Sequence, residues 1–174
     1  MNIKIIKVGY LECNCYIIEK NNKVLIVDPG DEYDKIKPNL KSKKVLAILN
    51  THNHFDHIGC IKDIVRDYHV EVYSFDNLEE KEYEIEDFKF SVIFTPGHSP
   101  DSICFYFEED KIMFTGDFLF YDTIGRCDLD GGDYNEMLSS IDKIKSYNKD
   151  IIIYPGHGEK SSLGREFIKN PYFN

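Results

Sequence analysis

The stretch NTHNHFDHIG, residues 50–59, carries three of the chain's six histidines and an aspartate within positions 52 to 57. It follows KVLAILN (44–50), a compact apolar run of the kind that forms a buried strand. Three other apolar runs end in a similar way. FKFSVIFT (88–95) leads into Pro96-Gly97-His98, KIMFT (111–115) into Gly116-Asp117, and DIIIY (150–154) into Pro155-Gly156-His157. In layered α/β proteins, ligands gather beyond the carboxyl ends of strands, where glycine permits sharp turns. One site is therefore expected to collect His52, His54, Asp56, His57, His98, Asp117 and His157. Only His69, in DYHVEV, stays outside this set, and no special role is expected for it.

Imidazole and carboxylate together suit zinc, iron or manganese. A closed structural zinc site takes four ligands. Seven candidates suit two divalent ions that share a bridging carboxylate and keep a position open for water. Gathering two carboxylates and several imidazoles in a partly buried pocket is unfavourable without a compensating cation. Separately satisfied core and capping residues would account for a lone histidine. They do not account for seven such groups placed after strands.

The remaining chain reads as short apolar runs punctuated by turns. Strands are expected at 3–8, 15–19, 23–28, 70–75, 88–94, 102–108, 111–116 and 150–154. A short helical piece over 31–36 should stop before Pro38. Residues 61–68 have helical spacing, with Ile61, Ile64, Val65 and Tyr68 on one face. The clearest helix is 133–147, with Asp133 and Glu136 placed as a capping box and Met137, Leu138, Ile141 and Ile144 as its stripe. A short helix over 163–169 ends the pattern. These elements predict helices packed on the outer faces of two stacked sheets.

With 174 residues, 42% hydrophobic and 30% charged, the chain has the length and composition of one globular domain, 1–174. A net charge of −10 disfavours nucleic acid as main partner. No window approaches the ~18 apolar residues of a membrane span, and the N-terminus lacks a signal-peptide core. The expected compartment is the cytoplasm. The five scattered cysteines are not expected to form disulfides. Cys13 and Cys15 share a strand face, and two readings stand for them: buried thiols, or a metal or redox site.

THNHFDHIG resembles the T-H-x-H-x-D-H signature of the metallo-β-lactamase superfamily. TPGHSPDS (95–102), FTGDFLF (114–120) and YPGHG (154–158) resemble its later motifs in order, so the resemblance covers essentially the whole chain. TIGRCDLDGGD (123–133) is similar to the loop after the bridging aspartate in glyoxalase II-like hydrolases and persulfide dioxygenases. The resemblance implies a four-layer αβ/βα sandwich of two mixed β-sheets flanked by helices. It implies that His52, His54 and His98 hold one metal, that Asp56, His57 and His157 hold the other, and that Asp117 bridges them. It implies a substrate contact for Arg126, beside which a salt bridge to Asp128 or Asp130 stands as a second reading. Asp28, Thr51 and Thr115 are candidate partners for the histidine N–H groups. Only 17 residues follow His157, so the C-terminal helical domain of glyoxalase II members is expected to be absent.

The function implied is a binuclear, most simply zinc-dependent, hydrolase of a small-molecule thioester of hydroxyacyl-thiol type. In it, hydroxide at neutral pH attacks the acyl carbon, with Asp56 and Asp117 as the catalytic carboxylates. The alternatives are a mononuclear iron persulfide dioxygenase using His52, His98 and Asp117, and a metal-binding module without catalysis.

Overall fold

The computed structural model describes residues 1–173. Five strands, β1 (Asn2–Val8), β2 (Cys13–Lys20), β3 (Lys23–Val27), β4 (Lys44–Leu49) and β5 (Glu71–Tyr73), form one sheet in that order. The first three pair antiparallel, and β3, β4 and β5 run parallel. Next in the chain come β6 (Glu82–Ile85), β7 (Phe88–Phe94), β8 (Ile103–Phe107) and β9 (Ile112–Gly116), then a small hairpin of β10 (Leu119–Phe120) and β11 (Thr123–Ile124). With β12 (Ile152–Pro155) and β13 (Ser161–Ser162) the second sheet has the order β13-β12-β9-β8-β7-β6. Its β9 and β12 are parallel and the other pairs antiparallel.

Period-two alternation sends each strand's apolar residues to both faces. Tyr16, Ile18, Leu25, Val27 and Leu49 of the first sheet meet Phe90, Val92, Phe105, Phe107 and Phe114 of the second in a central core. The intervening residues Cys15, Ile17, Val24, Ile26 and Ile48 face outward under helices α1 (Tyr33–Ile36) and α3 (Ile61–Tyr68), which contribute Ile36 and Ile64. On the far side, Ile93, Cys104, Met113 and Ile153 pack under α4 (Tyr134–Ile144) and α5 (Leu163–Lys169), through Met137, Ile141, Ile144 and Leu163. The one-turn helix α2 (Phe55–Ile58) lies within the histidine-rich stretch. Three apolar seams separate four layers, as expected. Among the described residues no helix is long and apolar enough to cross a membrane.

Several local expectations are corrected. The chain does not leave helical geometry before Pro38: a 3-10 turn runs over Lys37–Asn39, with proline in its first positions, where a missing N–H costs nothing. The capping box at α4 forms only on one side. The Asp133 carboxylate accepts from the N–H groups of Asn135 and Glu136, but the Asp133 N–H donates to the Gly97 carbonyl at 2.8 Å rather than to Glu136. In the helix stripe Leu138 is exposed, and Ser140 takes its place inside, donating to the Pro96 carbonyl at 2.7 Å. Both bonds tie α4 to the turn that presents His98. Strand β6 was not foreseen, because EEKEYEIED reads as a charged surface run; its alternating Tyr83 and Ile85 pack on the central core.

Candidate metal centre

The four strand ends converge. β4 runs into Thr51 and His52, β7 into the turn bearing His98, β9 into Asp117 and β12 into His157. The parallel pair β9–β12 sets Pro155 beside Gly116, and the Gly156 N–H donates to the Gly116 carbonyl at 2.8 Å. Gly116 has φ +49, a left-handed conformation that glycine takes without steric cost, and this turns the chain so that Asp117 follows at the strand's end. The sheets are pinned together here, since the Ile103 N–H donates to the Thr51 carbonyl at 2.9 Å. Loop 50–54 is tied further by Asn50 to Asn53 at 2.9 Å and by the Asn53 N–H to Asp101 at 2.9 Å.

Two ligand groups result. His52 Nε2 lies 3.1 Å from His54 Nδ1, which lies 2.9 Å from His98 Nε2. Beside them, His57 Nε2 stands 3.4 Å from Asp117 Oδ1 and 3.8 Å from Asp56 Oδ2. His157 Nε2 stands 3.2 Å from Asp56 Oδ2 and 3.6 Å from Asp117 Oδ2. Asp117 also reaches His98 Nε2 at 3.6 Å, so it touches both groups. His52, His54 and His98 form one set able to hold an ion; Asp56, His57 and His157 fall in a second together with Cys13, and His52, His57 and Asp117 in a third between them.

The outer nitrogens fix the inner ones. His98 Nδ1 lies 2.8 Å from the Arg126 carbonyl and His157 Nδ1 3.0 Å from the Leu11 carbonyl. A carbonyl only accepts, so each Nδ1 carries a proton and each ring turns its Nε2 inward. Asp28 does the same for two more rings. Its Oδ2 accepts from His57 Nδ1 at 3.0 Å and from the Thr51 hydroxyl at 2.7 Å, and Thr51 Oγ1 in turn accepts from His52 Nδ1 at 3.1 Å. The Thr51 N–H donates to Asp28 Oδ1 at 2.8 Å, so Asp28, 1% exposed, is anchored as well as orienting.

A cation fits this donor set. The three imidazole nitrogens of the first group face one another at hydrogen-bond distance, yet the outer bonds leave His52 Nε2 and His98 Nε2 as bare acceptors. His57 Nε2 and Asp117 Oδ1 are buried without a hydrogen-bond partner, among few such side-chain atoms in the described residues. Unpaired buried polar atoms cost about 1–3 kcal/mol each, and a shared cation removes that cost. Titration follows the same division. Burial holds His52 well below the ordinary histidine range, reinforced by His57 and His98, and burial beside His98 lowers His54. Burial acts to lower His57 and His157 too, but Asp28 and Asp117 around the first, and Asp56 and Asp117 around the second, outweigh it and raise both. Burial would raise Asp56 and Asp117; His157 and His57 respectively hold them low, as anions.

All seven expected residues are thus brought together, and exposed His69 only ends α3, with φ 54. One expectation changes, and one of two readings is met. Thr115 does not serve a histidine, since its hydroxyl donates to the Leu119 carbonyl at 2.8 Å. The Arg126 guanidinium is exposed and forks onto Asp128 through bonds of 2.7 and 2.8 Å; what reaches the centre is its backbone carbonyl. The carbonyls of Leu11 and Arg126 were missed because any residue type supplies them. Cys13 was only half read. Its thiol, pushed up to about 11 by burial, lies 3.7 Å from His57 Nδ1, the nitrogen already committed to Asp28. It backs the ring as a neutral group. All five cysteines are free.

Residues 8–81 and 71–157 match the metallo-β-lactamase superfamily profile. The chain belongs to the metallo-β-lactamase superfamily. It is 32% identical over 209 residues to the hydroxyacylglutathione hydrolase GloC of Haemophilus influenzae, covering 100% of this chain and 99% of that protein. Among solved structures it is similar to the BLEG-1 B3 metallo-β-lactamase, with a TM-score of 0.93, 32% identity and 99% of each chain covered. It is also similar to TTHA1623 in a di-iron-bound form, with a TM-score of 0.88, 30% identity and coverage of 97% and 99%. A superfamily fold and a two-part His/Asp centre together make this a metal-dependent hydrolase scaffold. The superfamily relatives of near-equal identity differ in their named substrate.

Proposed function

We propose that this superfamily member is a binuclear metal-dependent hydrolase of thioesters of the hydroxyacyl-thiol type. The observation that carries the binuclear reading is the completeness of both halves: His52, His54 and His98 on one side, Asp56, His57 and His157 on the other, with Asp117 touching each. A mononuclear iron dioxygenase would leave the second half without use, although its rings are oriented as carefully as the first. The thioester reading draws on the Haemophilus relative named a hydroxyacylglutathione hydrolase, nearly all of whose length this chain matches. Zinc is the first candidate, and the di-iron form of TTHA1623 makes iron the metal to test beside it.

Bound there, a pair of divalent ions supplies water acidified towards neutral pH and a Lewis acid for the acyl oxygen. The chain's own residues provide the rest. Leu11, Asp28, Thr51 and Arg126 hold four imidazoles in the tautomer that presents a lone pair inward. Asp56 and Asp117 stay ionised; they would balance the charge of the cations and could orient a water by accepting its hydrogen bond. No serine or cysteine nucleophile is needed, consistent with Cys13 staying neutral.

Asp28 gives a first test. Asn cannot accept from Thr51 and His57 with a full negative charge. Asp28→Asn should therefore lose about 10–100-fold in metal affinity or turnover, since it orients ligands from both halves. Competition with a chelating dye reads the affinity, and an unchanged value would remove Asp28 from the account. The activity itself is tested by thiol release from a panel of thioesters, with oxygen uptake on a persulfide run beside it. Thiol release without oxygen uptake is expected; the reverse would overturn the proposed reaction.

A further inference from the structure

The turn that carries His157 is held from behind by a strand of the other sheet. The pairing of β12 with β13 ends at Ile153, and its pairing with β9 shifts register between Tyr154 and Pro155. The carbonyls that follow take donors from β2. The Asn14 N–H donates to the Gly156 carbonyl at 2.7 Å, and Asn14 Nδ2 to the Pro155 and Gly158 carbonyls at 3.0 Å each. The Tyr16 hydroxyl also donates to the Pro155 carbonyl. Asn14 and Tyr16 stand two residues apart, on one face of β2. Leu11, just before β2, accepts from His157 Nδ1 at 3.0 Å.

Asn14 is 1% exposed, and both neighbours of its Nδ2 are carbonyls, so the amide is fixed with its oxygen turned away. That oxygen is buried without a hydrogen-bond partner, a cost that an apolar side chain would not carry. In front, the same turn is pressed against the ligands. The Gly156 N–H donates to the Gly116 carbonyl at 2.8 Å, and a Cβ on Gly156 would lie 2.2 Å from Asp117 Oδ1. The turn therefore sits between β2 and the Asp117 carboxylate. Its depth sets how far His157 Nε2 stands from Asp56 and Asp117, now 3.2 and 3.6 Å. His52 and His98 are oriented from elsewhere, through Thr51 and the Arg126 carbonyl.

We propose that Asn14 and Tyr16 are positioning residues for the second ion alone. They fix the depth of the His157 turn, and so set the affinity of the Asp56, His57 and His157 half without acting on the His52, His54 and His98 half. This rests on the binuclear reading above. Hydrogen bonds make a firmer stop than apolar contact, because they fix direction as well as distance. With the donors removed, nothing from β2 holds the Pro155 and Gly158 carbonyls, and His157 Nε2 loses its fixed place beside the two carboxylates. The second ion is then lost first, leaving a protein with one ion.

The test is titration of metal-stripped protein with zinc against a chelating dye, with histidine-ring NMR signals assigning each equivalent to its ligands. Asn14→Ala should bind one equivalent about tenfold more weakly than the wild type, the lower end of what loss of an orienting partner costs. His57 and His157 should be the rings whose signals follow that equivalent. The other equivalent, followed by His52, His54 and His98, should be unchanged. Tyr16→Phe should weaken the same equivalent by less, because Asn14 still serves the Pro155 carbonyl; its ring keeps its contacts with Phe114 and Tyr154, and the fold with them. Ile36→Val, a cut in the core under α1, should melt earlier and leave both equivalents as they are. Both equivalents weakened alike in Asn14→Ala, or neither, overturns the positioning role. Should Asn14→Ala not fold, Tyr16→Phe decides, and an unchanged affinity at His57 and His157 overturns it. A wild type that binds a single equivalent overturns the binuclear reading and the proposal with it, whereas two equivalents weakened alike overturn the proposal only.

Discussion

Asp117→Ala is expected to take the chain from two bound metal ions to one or fewer, and to reduce hydrolysis by more than the roughly 100-fold that loss of an outer-sphere partner costs. Asp117 is the one carboxylate that meets both halves, at 3.6 Å from His98 Nε2 and 3.6 Å from His157 Nε2. Removing it leaves His57 Nε2 facing an apolar methyl, with only Asp56 at 3.8 Å. Each half then has three ligands and no link. The loss should also show in stability. A ligand at a hundred times its Kd adds about 2.7 kcal/mol to the folded state, worth about 5–10 °C in a chain of this size. That metal-dependent rise should largely disappear in the variant, read as melting curves with and without chelator. Two metals and full turnover in Asp117→Ala would contradict the assignment of the bridging role.

Gly156→Ala should disable the same centre without touching a ligand. A Cβ on Gly156 would lie 2.2 Å from Asp117 Oδ1 and 2.7 Å from His57 Cε1, so the carboxylate or the ring must move. His57 is buried and Asp117 only 12% exposed, and each stands against other ligands. Metal content should fall and turnover with it, by an amount comparable to losing a ligand. Gly158→Ala separates space from backbone strain. Its φ of +76 makes alanine there cost about 1–2 kcal/mol, yet nothing lies within 4 Å of the added carbon. That variant should melt earlier and still hold two metals. If Gly156→Ala kept its metals and Gly158→Ala lost them, the close packing around Asp117 would not be what sets the centre.

The centre was legible in the sequence because its ligands are side chains at strand ends. An apolar run followed by His or Asp and glycine is a local pattern, and four such patterns pointed to one rim of the sheets. What orients the ligands was less legible. Asp28 and Thr51 could be named, since a carboxylate and a hydroxyl are recognisable donors and acceptors, whereas Leu11 and Arg126 act through carbonyls that every residue has. Thr115 was misplaced because its hydroxyl has a nearer acceptor inside its own turn. The layers followed from the compact apolar runs, which mark strands covered on both faces; the first six residues of CNCYIIEK are all buried. Strand β6 escaped notice because its exposed face is all Glu and its buried face only Tyr83 and Ile85. The reach of Asn14 and Tyr16 to the Pro155 carbonyl crosses about 140 positions, a distance no periodicity reveals.

The most direct measurement is the titration of metal-stripped protein with zinc, and separately with ferrous iron, while thiol release from a hydroxyacyl thioester is followed. A binuclear hydrolase predicts turnover that rises through the second equivalent per chain and then levels. Turnover complete at one equivalent, or one iron per chain with oxygen consumed and no thiol released, would contradict it.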